Sequence, residues 1–278
     1  MIRPAIPWQA LLIDEEDERI LVIADLHLGF EHELAQMGIN LPSQTPKLQA
    51  KLTQILEEIK PTRLIILGDV KQSVPKISLQ EWEDIPIFFE EIQKAVGRIE
   101  VISGNHDGDL EPLTPHAIKI FSPKGIIVGK EEKVALLHGH AWPSPELLEA
   151  DYIVIGHNHP VVHFRDSIGF RVVRQIWLKA NCNGHKLAEA FLNYAGVKFN
   201  TDPTEAFKKE FNVEINTPQL IVIPAFNEIL GGLPINLEKP STLLGPLLRS
   251  EAVDIDGAEA YLLDGTFLGV VKQLRKMG

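Results

Sequence analysis

Five short apolar runs in this chain each end in residues of the kind that bind metal ions. Ile20–Ala24 leads into Asp25 and His27, and Leu64–Leu67 leads into Gly68 and Asp69. Ile99–Ile102 leads through Ser103 into Gly104, Asn105, His106 and Asp107. Val134–Leu137 leads into His138, Gly139 and His140, and Tyr152–Ile155 into Gly156, His157, Asn158 and His159. Runs of four or five residues rich in Ile, Val and Leu read as strands buried on both faces. In an open α/β sheet, ligands collect beyond the carboxyl ends of the strands. One rim would then gather two Asp, one Asn and several His, a set large enough for two divalent ions.

The segments between these runs support an α/β layer architecture. Leu11–Ile13 and Ile20–Ile23 flank an acidic turn at 14–19 and read as a hairpin. A loop is expected over His32–Pro46. Leu48, Leu52, Ile55, Leu56 and Ile59 then mark one face of an amphipathic helix that returns the chain to Leu64–Leu67. Phe88, Phe89, Ile92 and Val96 mark a second helix, with Pro86 suited to its first turn. Residues 117–137 read as short strands with tight turns at Gly125 and Gly129. Beyond 161, strands are expected at Val161–Phe164, Phe170–Ala180, Leu220–Pro224, Ala260–Leu263 and Phe267–Val271. Short helices are expected at Leu187–Tyr194 and Pro203–Phe211. No repeat and no linker divides the sequence, so residues 1–278 are expected to form one domain.

Composition narrows the functional classes. The 278 residues include 27 Lys and Arg against 38 Asp and Glu, a net charge of −11 with His neutral. Such a balance argues against sequence-independent binding to long DNA, which needs a basic footprint. Hydrophobic residues make up 45%, enough for a substantial core. The one cysteine, Cys182, allows neither an internal disulfide nor a cysteine metal cluster, which fits a reducing cytosol. The acidic residues at 14–18 suit no secretory signal, and no apolar stretch approaches the roughly 18 residues of a membrane span. A soluble cytoplasmic protein without membrane contact is expected.

The five blocks, in order, match D-x-H, G-D, G-N-H-D, H and G-H-x-H. This series resembles the calcineurin-like metallophosphoesterase superfamily. The run from Asp25 to Gly29, with Pro224–Asn227 and Gly231–Gly232, is similar to two of its groups. These are the archaeal phosphoesterases related to repair nucleases and the bacterial DNA-ligase-associated phosphoesterases. The resemblance implies a four-layer α/β/β/α sandwich of two mixed sheets, with the strand-rich 161–278 completing the second sheet.

The resemblance also implies roles. Asp69 would bridge two divalent metals, since an anionic bridge offsets their mutual repulsion. Asp25, His27 and His159 would serve the first metal, and Asn105, His138 and His157 the second. The nitrogen and oxygen set suits manganese first, with iron, zinc, cobalt or nickel as alternatives. His106 would reach a phosphoryl or leaving oxygen, and Asp107 would orient it and raise its pKa. His140 is left open between contacting substrate, buttressing a ligand and packing. His32, His116, His163 and His185 read as ordinary surface or core histidines. Gln72 departs from the histidine that relatives carry near this position. The stretch Asn181–Asn216 is longer than the pattern needs. Asn227 either lies near the rim or makes an ordinary turn.

The expected activity is hydrolysis of a phosphodiester, with a cyclic or short nucleotide as substrate, by metal-activated hydroxide. The alternative is a nuclease acting on DNA or RNA ends. It would need an electropositive path or stacking aromatics, for which Phe30, Trp142 and Phe164 are candidates. A non-catalytic scaffold is the third reading. It is disfavoured because every ligand position is filled.

Overall fold

A computed structural model of the chain describes residues 1–165, 168–237 and 243–277. The first sheet holds β1 (Ile2–Pro4), β2 (Leu11–Asp14), β3 (Arg19–Ile23), β4 (Arg63–Leu67), β5 (Ile99–Ile102) and β6 (Lys119–Phe121), in that spatial order. Strands β1 to β3 are antiparallel neighbours, whereas β3, β4, β5 and β6 run parallel. The second sheet is built from β7 (Ile126–Val128), β8 (Val134–Leu136), β9 (Tyr152–Ile155), β10 (Pro160–Arg165), β11 (Arg171–Asn181), β12 (Gln219–Val222) and β13 (Leu233–Pro234). Two further strands, β14 (Glu259–Leu262) and β15 (Phe267–Val270), extend it beside β11. This sheet is mixed too: β8, β9 and β12 are parallel neighbours, while β10 and β12 each run antiparallel to β11.

Alternating side chains divide the apolar residues into three cores, and these define four layers. Leu21 and Ile23 of β3 and Leu64 and Ile66 of β4 pack on one face of the first sheet. They meet α2 (Thr45–Ile59) and α3 (Leu79–Gln93) through Leu52, Ile55, Phe88 and Phe89. Ile20, Val22, Ile65 and Leu67, from the other face, meet Val134, Leu136, Val154, Trp177 and Ile221 between the sheets. The outer face of the second sheet, through Ile153, Ile155, Ile176, Leu178 and Val222, is covered by α4 (Gly184–Tyr194) and α5 (Pro203–Phe211). A period of two on each strand makes this division possible, because successive side chains face opposite layers. The architecture is the α/β/β/α sandwich of two mixed sheets. Two short helices, α6 (Pro246–Arg249) and α7 (Val271–Met277), complete it. Among the described residues, no helix is long and apolar enough to cross a membrane.

Two expectations about helices are corrected. The segment expected as a loop over 32–46 opens with a short helix, α1 (Phe30–Gln36), and α2 already begins at Thr45. Helix α1 has only seven residues and starts at Gly29 in the left-handed region, with no side-chain cap, so nothing in its pattern announced it. Pro86 was expected in the first turn of the second helix, but it lies inside α3. The start of α3 is set by a capping box. Ser78 accepts from the Glu81 N–H, and the Glu81 carboxylate accepts from the Ser78 N–H.

Glu81 does more than cap. It is fully buried, and its carboxylate accepts from the N–H groups of Gln72 (2.9 Å), Ser73 (2.6 Å) and Ser78 (2.7 Å). Burial opposes its charge, but these donors hold its carboxyl below the ordinary value of 4.5. Removing it strips partners from buried donors, so Glu81→Ala should cost about 2 kcal/mol or more of unfolding free energy. Its contribution is complete above the ordinary value and is lost as pH falls through the lowered one. Urea unfolding at pH 7 and in mild acid should therefore show the variant and the wild type converging in acid.

Candidate metal centre

The candidate ligands meet where the carboxyl ends of β3, β4, β5, β8 and β9 face one another across the two sheets. Parallel pairing in register brings them level, with Ile23 beside Ile66 and Leu67 beside Ile102. The residue after each strand must then leave the sheet sharply. Asp25, His27, Asp69, His157 and His159 all take positive φ, between 42° and 66°. Left-handed backbone costs a non-glycine residue roughly 1–3 kcal/mol, and Asp and His tolerate it better than most. Backbone hydrogen bonds hold these turns. The Asp25 N–H donates to Gly68 O (3.2 Å), His27 N–H to Asp69 O (2.8 Å) and Gly156 N–H to His138 O (3.0 Å).

Glycines allow the turns to approach. A Cβ on Gly104 would lie 2.2 Å from Asp69 Oδ1, and one on Gly156 would lie 2.7 Å from Asp25 Oδ2. The segment Phe226–Asn227 braces the first turn from the far side. Phe226 N–H donates to Ala24 O (2.8 Å), and Asn227 Nδ2 donates to Leu26 O (2.9 Å). Asn227 thus acts on the rim as a buried brace for the segment carrying Asp25.

The structure gathers Asp25, His27 and His159 into one group, and Asp69, His138 and His157 into another. In each group the potential ligand atoms lie within 4.8 Å of one another. A third group, His27, Asp69 and His106, shares members with both. Asp69 stands centrally: its Oδ2 lies 3.4 Å from His27 Nε2 and 3.3 Å from His138 Nε2. Asp25 Oδ1 lies 3.3 Å from His159 Nε2. Asn105 joins through Oδ1, 3.2 Å from His138 Nε2, and His157 Nδ1 is 3.1 Å from the same atom.

Several features fit a cation. The Nε2 atoms of His27 and His159 are buried without a hydrogen-bond partner among the described residues, although each faces a carboxylate. His138 Nδ1 lies 2.7 Å from Leu67 O, a carbonyl that can only accept, so a neutral His138 keeps its lone pair on Nε2. Both Asp25 and Asp69 are almost completely buried. Burial works against their charge, yet His159 for Asp25 and His138 for Asp69 hold both carboxyls below the usual range. Burial likewise opposes a proton on His138, but the hydrogen bond and field of Asp69, with Asp25, push it up to about 9. Burial brings His27 down to about 4, and burial together with His138 brings His157 down to about 4. The cluster therefore demands positive charge and supplies neutral imidazole lone pairs around it, as a site for divalent ions should. Cys182 takes no part; burial pushes its thiol up to about 12.

His106 and Asp107 lie at the same rim with different surroundings. The His106 N–H donates to Asp69 Oδ1 (2.9 Å), and its ring packs edge-on to His27 at 4.9 Å. Asp107 was expected to orient the His106 ring. Its carboxylate instead accepts from the N–H groups of Val70 (2.9 Å) and Gly104 (2.8 Å), and His106 Nδ1 meets the Gln72 carbonyl at 2.6 Å. Asp107 thus pins the β4 turn to the β5 turn. Burial, and then Asp69, push its own carboxyl up. His140 stands beside His138 and His157, at ring separations of 5.2 and 6.0 Å, with a buried Nδ1 that has no partner among the described residues. Gln72, Glu33 and Glu81 also brace the site, and no ligand-type motif marked them. Gln72 was marked only as a departure from a histidine, and the serine–glutamate spacing of the α3 cap could have pointed to Glu81.

The family model for calcineurin-like phosphoesterases matches residues 18–216, which covers most of the chain and every ligand block. This chain belongs to the calcineurin-like phosphoesterase family. A phosphodiesterase of Escherichia coli K12, YfcE, is 28% identical over 109 residues, covering 38% of this chain and 59% of its own length. The chain thus spans less than two thirds of the curated relatives it matches. Among solved structures, a Pseudomonas putida nuclease, MPE, aligns over 92% of this chain and 97% of its own, at 18% identity and a TM-score of 0.49. The structure of E. coli YfcE aligns over 53% of this chain and 74% of its own, at 21% identity and a TM-score of 0.35. Within this calcineurin-like chain, the tight approach at Gly104 yields a direct test. Gly104→Ala should displace the Asp69 carboxylate and lower divalent-ion affinity on the order of 10–100-fold, read by competition with a chelating dye. Circular dichroism should show the fold retained.

Proposed function

We propose that the chain is a metal-dependent phosphoesterase with two divalent ions, and that it hydrolyses a phosphodiester, a cyclic or short nucleotide. The observation that carries this reading is the pair of buried carboxylates, Asp25 and Asp69, faced by His27 Nε2 and His159 Nε2, which lack hydrogen-bond partners among the described residues. Asp69 would be shared between the ions, with Asp25, His27 and His159 holding one and Asn105, His138 and His157 the other. Manganese is the first choice of ion. Bound divalent ions would polarise the phosphoryl oxygens and make hydroxide available near neutral pH.

The chain's own groups do the rest. The neighbouring backbone fixes Asp69, since one oxygen accepts from the His106 N–H. That leaves its other oxygen for the cluster. His106 donates from Nδ1 to the Gln72 carbonyl, so its Nε2 carries the transferable proton when the ring is charged. It is the group best placed to protonate a leaving oxygen. Asp107 keeps the two turns in register and thereby keeps His106 beside Asp69. His140 is assigned a substrate-facing or buttressing role at the same rim.

A specific observation favours nuclease activity as the second reading. Strand β10 leaves directly from His159 and pairs with β11, and this hairpin exposes Phe164 and Arg174, which the register places on one face. An aromatic ring and a guanidinium group on one face are the equipment of a single-strand contact.

Metal-stripped protein should be inactive. With Mn²⁺ it should hydrolyse an aryl phosphodiester faster than an aryl phosphomonoester, and Asp69→Asn should abolish both activities. A monoester preference with every ion would overturn the diesterase reading, and efficient cleavage of short single-stranded DNA would favour the nuclease. His106→Asn should lower turnover by about 10²–10⁴-fold. The loss should be larger for an alkoxide leaving group than for nitrophenolate, measured on matched esters with both ions bound.

A further inference from the structure

The turn that carries Asp69 continues into a side chain with no acid–base chemistry of its own. Gln72 Oε1 lies 2.6 Å from His27 Nδ1, and Gln72 Nε2 hydrogen-bonds to Glu33 Oε2 on α1. An ionised carboxylate can only accept. The amide must therefore turn its NH₂ to Glu33 and its oxygen to His27. An amide oxygen also only accepts, so the proton of neutral His27 must sit on Nδ1. The lone pair is left on Nε2, the atom that faces Asp69 Oδ2 at 3.4 Å and has no hydrogen-bond partner among the described residues.

The backbone of the same residue treats His106 alike. The Gln72 carbonyl lies 2.6 Å from His106 Nδ1, which fixes the His106 proton there. Gln72 is itself held by its own N–H, which is shared between Leu28 O (3.0 Å) and Glu81 Oε1 (2.9 Å).

We propose that Glu33 and Gln72 are positioning residues that set the tautomer of His27. The carboxylate of Glu33 orients the amide, and the amide orients the imidazole. This relay gives α1, a helix that buries little, a chemical role: it delivers Glu33 to Gln72. Glutamine suits the middle position because it donates at one end and accepts at the other. The inference rests on the reading of His27 as a cation ligand. It does not depend on which ester is cut, or on whether any is.

The test uses full-length, metal-free protein with ¹⁵N-labelled histidine. Two-bond proton–nitrogen correlation spectra near pH 7.5 report which ring nitrogen carries the proton. In the wild type both His27 and His106 should show the Nδ1–H pattern. Gln72→Met, similar in shape but with no donor and only a weak acceptor, should release His27 into mixed tautomers and leave His106 unchanged, because the backbone carbonyl persists. Affinity for Zn²⁺ or Mn²⁺ in that variant should fall about 10–100-fold, with thermal stability shifted by only a few degrees. Glu33→Met should change His27 in the same direction by a smaller amount, and it carries the test if Gln72→Met does not fold. An Nε2–H pattern for His27 in the wild type would overturn the proposal. So would unchanged tautomer and affinity in a folded variant. If the wild type binds ions with His27 in the expected form yet cleaves no phosphoester, the hydrolase reading fails and this one stands.

Discussion

Asp25 and Asp69 place two carboxylates in a buried seam between two apolar sheets, and much of the local structure answers that charge. An ionised carboxylate removed from water is costly unless it is paired and hydrogen-bonded. Here the partners come from four strand ends, those of β3, β5, β8 and β9. His159 and His138 hold the two carboxyls below their usual range, and His138 in turn is pushed up to about 9. In the metal-free chain, a proton on His138 occupies the electrostatic role that a cation would fill. The turns that carry these side chains are held by backbone hydrogen bonds. Left-handed backbone at Asp25, His27, Asp69, His157 and His159 is expensive, and it persists because neighbouring strands and the Asn227 brace over-determine it.

Much of this was legible in the sequence where a strong local signal coincided with a global one. The runs before Asp25, Asp69, Asn105, His138 and His157 are apolar on both faces because each strand lies between two cores. Their β-branched content therefore marked them as buried strands. The strand expected at Phe170–Ala180 forms at Arg171–Asn181, and the helix expected at Pro203–Phe211 forms there, capped by Asp202. The four layers came from resemblance; periodicity alone gave only strands and helices.

What the sequence did not disclose depends on tertiary contacts. Helix α1 has no cap and no apolar stripe, so its existence depends on packing around Glu31 and Glu33. Pro86 looked like a helix start because the Ser78–Glu81 cap lies seven residues upstream of the obvious apolar face. Asp107 follows His106 in sequence, which invited a pairing, but in a tight turn adjacent side chains diverge. Its carboxylate reaches back to Val70 and Gly104 instead. Gln72 looked like the loss of a histidine. Its two faces, side-chain amide and backbone carbonyl, acquire meaning only once His27, His106 and Glu33 surround it.

The central claim is that this buried cluster is a two-ion centre that exchanges a proton for metal charge. Calorimetric titration of chelator-stripped protein with Mn²⁺, in two buffers of different ionisation enthalpy at pH 7.5, tests it most directly. At that pH His138, pushed up to about 9, carries a proton in the metal-free chain. Binding must expel that proton, because a metal ligand needs the lone pair. The account predicts two equivalents of Mn²⁺ and a net release of protons on binding. A single equivalent, or binding with no proton release, would contradict it.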